Sequence, residues 1–286
     1  MKELYINNVL EPIKEKYKLT NKMLSNILDV SEATISQYIA LNTIMSKEKG
    51  HILDKWLNEH EDNIYNYIFN LTSSDGYYFH GSKNIIEGEI SPYRSKNQTD
   101  FGEGFYIGES FLQSATWASA EDAMGNIYKY EFDYSKFKVR ELEDLQWVFF
   151  VAYNRNRIPN KKETNKLSAD MRMIKSKNYD VLIGKIADDK MAQSMKEFFT
   201  NSITDQQLFV CLELLNIGKQ YCLKTIEACH SLKLIESFHL NKELKELINE
   251  YAAYSMSRAS DRAHNIIEKK GFEGKTFNTL MEEYGK

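Results

Sequence analysis

Two short stretches of the chain combine groups that recognise flat, polar ligands. In Tyr78-Phe79-His80-Gly81-Ser82 an aromatic run opens into a polar triplet. A glycine there lets a ligand lie against backbone. Its N–H and C=O can pair with a planar carboxamide, the Ser82 hydroxyl can add a third bond, and His80 can donate to a sugar hydroxyl. In Asp100-Phe101-Gly102-Glu103-Gly104-Phe105-Tyr106, two glycines bracket an acid and lead into an aromatic pair. A Tyr106 ring so placed can stack on a flat heteroaromatic ligand. Carboxamide, flat ring and ribose hydroxyl together describe the nicotinamide riboside half of NAD. Taken singly, each stretch has a plainer reading: His-Gly-Ser is a turn, and the Tyr106 stretch is a hairpin with core aromatics.

Strands are the natural carriers of such groups. Between 77 and 190 the runs YYFHGS, GFYIG, IYKYEFDY, WVFFVAY and YDVLIG are aromatic, strand-like and punctuated by glycine. ATWASAEDA (115–123) reads as a helix packing on the sheet, with Trp117 and Trp147 as core residues. From Met191 the pattern turns helical, broken by KQYCLKT, a short strand candidate that contains Gln220. Beyond Asn241 two or three helices are expected.

The first 60 residues read as helices. Pro12 suits a helix start. Thr20 is placed to cap NKMLSNIL, whose Met23, Leu24, Ile27 and Leu28 form an apolar face, and Ser31 to cap EATISQYIAL. Three helices with a three-residue turn between the second and third make a helix-turn-helix. The run LTNKMLSNILDVSEATISQYI resembles the phage-repressor type over about 50 residues, with Asp29 where that family often has Gly. Thr34 and Gln37 are the candidate readers of base edges. Residues 1–60 carry eight lysines against eight acids, so phosphate neutralisation gets no help from net charge. A protein-contact module of the same shape is the alternative.

Composition narrows the class. Hydrophobic residues make up 42% and charged residues 27%, as in ordinary globular chains. Cys211, Cys222 and Cys229 are odd in number and lack CxxC spacing, so neither a disulfide framework nor a metal site is expected, and a reducing cytoplasm fits. No run nears the roughly 20 apolar residues that span a bilayer, so no membrane partner is expected. No GxGxxG fingerprint follows a strand, which disfavours a dinucleotide-binding dehydrogenase.

The ordered set is more specific than its parts. FHGS, DFGEGFY, ATWA, YEFD, a Trp before an Arg, YDVLIGKIADD and then a Gln strand resemble, over roughly 77–235, a family of uncharacterised bacterial domains. That family is regarded as ADP-ribosyltransferase-like, in the diphtheria-toxin and poly-ADP-ribose-polymerase branch, and often lies in toxin–antitoxin gene pairs. The resemblance implies an α+β chain with a mixed, split β-sheet core at 77–240. A helix-turn-helix at 1–60 and a linker helix at 61–76 would precede it, and a helical extension at 241–286 would follow. It implies NAD+ as a consumed substrate, no resident cofactor, a macromolecular acceptor (RNA, DNA or protein) and an antitoxin partner. By the resemblance His80 holds the adenosine-side ribose, and Gly81 and Ser82 grip the nicotinamide amide. Tyr106 stacks on the nicotinamide, and Asp100, Phe101, Gly102, Gly104 and Phe105 shape the loop and wall beside it. Gln220 stands where the branch usually has a catalytic Glu. Gln can bond a ribose hydroxyl but supplies no charge, which leaves Glu103, Glu109, Asp188 and Glu213 as other carboxylates.

Residues 154–178 carry eight basic residues against two acids, in a chain of net charge −4. Arg155, Arg157, Lys161 and Lys162 are therefore candidate nucleic-acid contacts; a solvated loop is the plainer reading. Two other functions stay open: an NAD- or ADP-ribose-sensing DNA-binding regulator, and an NAD glycohydrolase that uses water as acceptor.

Overall fold

A computed structural model describes residues 1–70, 76–94, 99–119, 125–159, 164–176, 178–186, 189–215, 218–270 and 273–284. The strands among them are β1 (Lys2–Leu4), β2 (Tyr78–Ser82), β3 (Phe105–Gly108), β4 (Asn126–Glu131), β5 (Val139–Glu141), β6 (Val181–Lys185), β7 (Lys219–Leu223) and β8 (Lys233–Leu240). The helices are α1 (Leu10–Tyr17), α2 (Asn21–Leu28), α3 (Glu32–Ile39), α4 (Lys47–Asn58), α5 (Ile64–Asn70), α6 (Phe111–Ala118) and α7 (Asp144–Asn154), followed by α8 (Asn165–Ser176), α9 (Asp189–Phe199), α10 (Asp205–Leu214), α11 (Ile226–His230), α12 (Lys242–Lys270) and α13 (Phe277–Tyr284). The chain is α+β, with both parallel and antiparallel strand pairs. None of the described helices is long and apolar enough to cross a membrane.

The chain divides into two compact units. The first comprises Met1–Glu87, Ser110–Glu131 and Leu234–Ala253; the second comprises Gly88–Glu109, Phe132–Lys233 and Tyr254–Lys286. The expected boundaries at 60, 76 and 240 do not coincide with this division.

In the first unit the strand order is β1-β8-β4-β2. The expected caps form: Thr20 accepts from the Met23 N–H and Ser31 from the Thr34 N–H. Asp29 closes α2 in a left-handed conformation (φ 50°), the geometry for which a glycine is common. The connection from α3 to α4 is held by Asn7. Its buried amide donates to the Tyr38 and Thr43 carbonyls at 2.9 and 2.8 Å and accepts from the Met45 N–H at 2.8 Å. Leu24, Leu28, Ile35, Leu53 and Ile64 share one core with Phe79, Ile127, Phe238 and Leu247. The helical head is thus packed into the core of β2, β4 and β8, and α5, expected as a linker, buries Ile64, Tyr65, Tyr67 and Ile68. The first 60 residues are not wholly helical either. Lys2–Leu4 pairs in parallel with Phe238–Leu240. A three-residue strand fixed by a partner so distant in sequence leaves no periodic signal.

In the second unit the order is β3-β7-β6-β5: β7 is antiparallel to β3 and β6, and β5 is parallel to β6. WVFFVAY, expected as a strand, is the body of α7, with every residue from Trp147 to Ala152 buried. A helix buried all round has no apolar stripe, and its aromatic and β-branched composition imitates a buried strand. Trp147, Phe150, Phe198, Phe277 and Met191 build the core on this side.

Candidate functional site

His80, Gly81 and Ser82 lie in the first unit; Asp100 to Tyr106 and Gln220 lie in the second. Strand alternation sorts β2 into two faces. Phe79 and Gly81 are buried. A Cβ at Gly81 would stand 2.0 Å from the Ser114 carbonyl oxygen of α6, so glycine is required there for close helix approach, apart from any ligand. Tyr78, His80 and Ser82 alternate to the opposite face, across from Tyr130, Tyr128 and Asn126 of β4. The His80 ring is half-buried, 6.5 Å from the Tyr128 ring. The Tyr128 hydroxyl accepts from the Ile86 N–H at 2.7 Å, and the Ser82 hydroxyl donates to the Asn84 carbonyl at 2.6 Å.

Asn126 completes this face and was not expected from sequence. Its side chain is fully buried. One end of the amide meets His239 Nδ1 at 3.2 Å, while Nδ2 has no hydrogen-bond partner among the described residues. Exchanging the two ends of the amide would only transfer the unmet bond to the oxygen. An unsatisfied buried polar atom costs roughly 1–3 kcal/mol, and among the described residues Ser119 Oγ and Asn154 Oδ1 share this state. The only sequence signal for Asn126 was a polar residue, next to a glycine, at the head of an apolar strand.

The polar groups of the second unit are more extensively bonded, although the buried Asn154 Oδ1 beside Gly102 also lacks a partner among the described residues. Asp100 is buried; one carboxylate oxygen receives Arg155 Nε at 2.8 Å and Nη2 at 2.5 Å, and the other receives Gln220 Nε2 at 2.6 Å. Gln220 Nε2 also reaches the Lys185 carbonyl at 3.0 Å. The backbone of the loop is held in turn. Asn154 Nδ2 donates to the Asp100 carbonyl at 3.2 Å, and Lys224 Nζ to the Phe101 and Glu103 carbonyls. The Tyr106 hydroxyl lies 2.7 Å from Thr99 Oγ1, donates to the Gly102 carbonyl at 2.6 Å and accepts from the Phe101 N–H at 3.0 Å. Its ring is half-buried and stacks on Phe101, 6.3 Å between centroids at 16°. Gly102 sits in the left-handed region (φ 76°), and a Cβ on Gly104 would lie 2.3 Å from Cys222 Sγ. The glycine-rich loop is therefore a tight cross-link onto β7.

The electrostatics follow from burial. Desolvation raises the Tyr106 phenol well above its usual value, and raises the Cys222 thiol to about 11 against the opposing charge of Lys224. Neither group is a base or nucleophile at neutral pH. Gln220 is matched to its neighbour, because only an amide can donate to the Asp100 carboxylate from that position. Of the other carboxylates, Glu109 accepts from the Tyr221 hydroxyl at 2.6 Å and the Lys219 N–H at 3.2 Å, and Glu213 pairs with Lys185 at 3.3 Å on the surface. Glu103 borders the loop, and Asp188 lies outside the described residues.

The candidate nucleic-acid contacts separate too. Thr34 is half-buried and meets Ser31 Oγ at 2.8 Å; Gln37 is exposed on α3. Arg155 is committed to Asp100, Arg157 is exposed just past α7, and Lys161 and Lys162 lie outside the described residues.

The model of a family described as "protein of unknown function (DUF3990)" matches residues 77–234, more than half of the chain. The chain belongs to this family. The DUF3990 span runs from β2 through β7 and takes in both the β2–β4 face and the loop before β3. No curated protein and no solved structure matches the chain.

Proposed function

We propose that this DUF3990 chain is an NAD-consuming mono-ADP-ribosyltransferase with a split-sheet ADP-ribosyltransferase-type core, acting as the toxin of a toxin–antitoxin or phage-defence system in the cytoplasm. The observation that carries the reading is the β2–β4 face, where His80 and Ser82 stand opposite Tyr128 and Asn126, and the buried Asn126 amide is unsatisfied. A ligand rich in carboxamide and hydroxyl groups would supply the missing partner. In this reading Gly81 offers backbone to the nicotinamide amide and His80 holds a ribose hydroxyl. The Tyr106 hydroxyl is committed to the loop before β3. Gln220 and Asp100 act as positioning residues for that loop. The bond between the nicotinamide nitrogen and the ribose anomeric carbon breaks, and nicotinamide leaves with the electron pair. An acceptor nucleophile then forms the new bond at that carbon and loses its proton. The rate enhancement comes chiefly from orientation. The α2–α3 pair offers DNA through Gln37, and an antitoxin protein is the expected partner.

One observation favours the regulator as the second reading. Position 220 carries no charge, and its amide is already bonded to Asp100, so the pocket would bind NAD without cleaving it.

The test is nicotinamide release from NAD by the purified chain, compared with His80→Ala and Asn126→Leu. Release that falls at least tenfold in both variants, with unchanged folding, supports the proposal. Equal release from all three removes the β2–β4 face from the reaction. Binding without release supports the regulator.

A further inference from the structure

α8 carries the most basic stretch of the chain as a one-sided helix within the second unit. Leu167 and Met171 turn inward and are buried; Lys166, Arg172 and Lys175 turn outward and are exposed. Arg172 and Lys175, three residues apart, occupy the same face; Lys166, nine residues before Lys175, lies on the opposite side of the helix, its Nζ 5.6 Å from the centre of the Tyr284 ring. Several other cations are neutralised locally: Lys16 by Asp62, Lys47 by Glu246 and Glu250, Arg155 by Asp100, Lys219 by Glu141 and Lys275 by Glu283. Lys166, Arg172, Lys175 and Arg157 have no ion pair among the described residues. Asp170, the acid on α8, accepts from the Tyr284 hydroxyl at 2.6 Å.

Aromatic rings interleave with these charges. Lys175 Nζ lies 5.9 Å from the centre of the half-buried Tyr153 ring, and Lys138 Nζ lies 5.2 Å from that of Tyr179. Met173 adds an exposed apolar side chain between Arg172 and Ile174. The end of this face abuts the glycine loop, since a methyl group at Gly102 would stand 3.6 Å from Lys175 Nζ.

We infer that the outer face of α8, with Arg172 and Lys175 and the flanking Tyr153 and Tyr179 rings, binds a single-stranded nucleic acid as the acceptor. Unneutralised cations spaced along an element and alternating with aromatic rings are what a single strand requires: phosphates meet the charges and bases meet the rings. An acidic protein would use the charges without the rings. The role as acceptor rests on the ADP-ribosyltransferase reading; the binding does not.

Binding is measured by fluorescence anisotropy of a labelled 20-nucleotide RNA of mixed sequence on the full chain without NAD, as a function of salt. The comparison is R172S/K175S, whose folding is verified by its thermal melt. Two lost phosphate contacts flatten the slope of log K against log salt by about 1.4, at roughly 0.7 per phosphate on a single strand, and weaken binding at least tenfold at low salt. No RNA binding by the parent chain, equal binding by the variant, or equally strong binding of a polyglutamate peptide overturns the inference. Nicotinamide release separates the two proposals. Release without RNA binding sinks this inference alone, and RNA binding lost in the variant without any release by the parent chain sinks the transferase reading alone.

Discussion

The β2–β4 face and the loop before β3 grow from the same kind of sequence, glycine beside aromatic residues, and they differ in how many of their polar groups are bonded. On the face, Gly81 makes room for α6 on one side of β2, while the other side carries His80, Ser82 and a buried Asn126 amide that the fold leaves unsatisfied. In the loop, Asp100, Tyr106 and Gln220 are bonded to one another's surroundings through Arg155, Thr99, Gly102 and Lys185. Saturated polar groups stabilise a fold and are strongly coupled; an unsatisfied buried group lowers stability. The difference is one of bonding: the conspicuous glycine loop is tied down by many hydrogen bonds, and on the proposed reading the inconspicuous Asn126 would lie on the ligand side.

The strongest way to break this comparison is Gln220→Glu. It sets a second carboxylate where the amide now stands 2.6 Å from Asp100. Like charges at that range, beside one arginine, should destabilise by about 3 kcal/mol, read as the urea midpoint. Asp100→Asn in the same chain should restore most of the loss. If Gln220→Glu leaves stability unchanged and raises NAD turnover, the loop is catalytic and the comparison fails.

Tyr106→Phe is next. It keeps the ring on Phe101 and deletes the hydroxyl that serves the Phe101 N–H and the Gly102 carbonyl. Losing those bonds in a buried loop should cost about 2 kcal/mol, with NAD affinity changed less than twofold. A large affinity loss at unchanged stability would contradict the assignment.

A smaller effect tests whether saturation, rather than location, makes a group structural. Asp62, in the first unit, accepts from Lys16 Nζ at 2.7 Å, the Tyr17 hydroxyl at 2.9 Å and the Tyr67 hydroxyl at 2.5 Å. Burial pushes its pKa up, but the bonds from Lys16 and Tyr67 outweigh burial and hold it well below the usual carboxylate range. A pKa depressed in the folded state contributes stability above the unfolded value and loses it as pH falls. The contribution of Asp62 should therefore be intact above about pH 4, the ordinary carboxylate value, and decline below it. Asp62→Asn should flatten that acid limb in melts recorded from pH 6 to pH 3, and an unchanged limb would remove Asp62 as its source.

The smallest effect on stability belongs to Asn126→Leu, expected within about 1 kcal/mol of the parent, because an unsatisfied amide is replaced by an apolar group of similar size. Its effect on NAD affinity should be the largest of the set. Destabilisation above about 3 kcal/mol would show that Asn126 is already satisfied.

Much of this arrangement was legible in the residues. The caps at Thr20 and Ser31 are local chemistry and form as expected, as do β2, β3, β4, β6 and β7 from their aromatic or apolar runs. β8 (Lys233–Leu240) lies in a tract expected to be helical and β5 was not expected, and two further elements were hidden for physical reasons. α7 is buried on every side, so its Trp147–Tyr153 run carries no helical period, and β1 exists through pairing with Phe238–Leu240. Of the candidate site, His80 and Ser82 were named from residue type, but the Asp100–Arg155–Gln220 set joins residues far apart in sequence, and Asn126 is visible only once burial and partners are known.

The most direct test of the central claim uses NAD labelled on its adenylate phosphate, incubated with the purified chain and bacterial lysate and then divided among RNase, DNase and protease. The account predicts macromolecular label that RNase removes and that Asn126→Leu abolishes. No macromolecular label together with no nicotinamide release would contradict it and leave an NAD-binding regulator in its place.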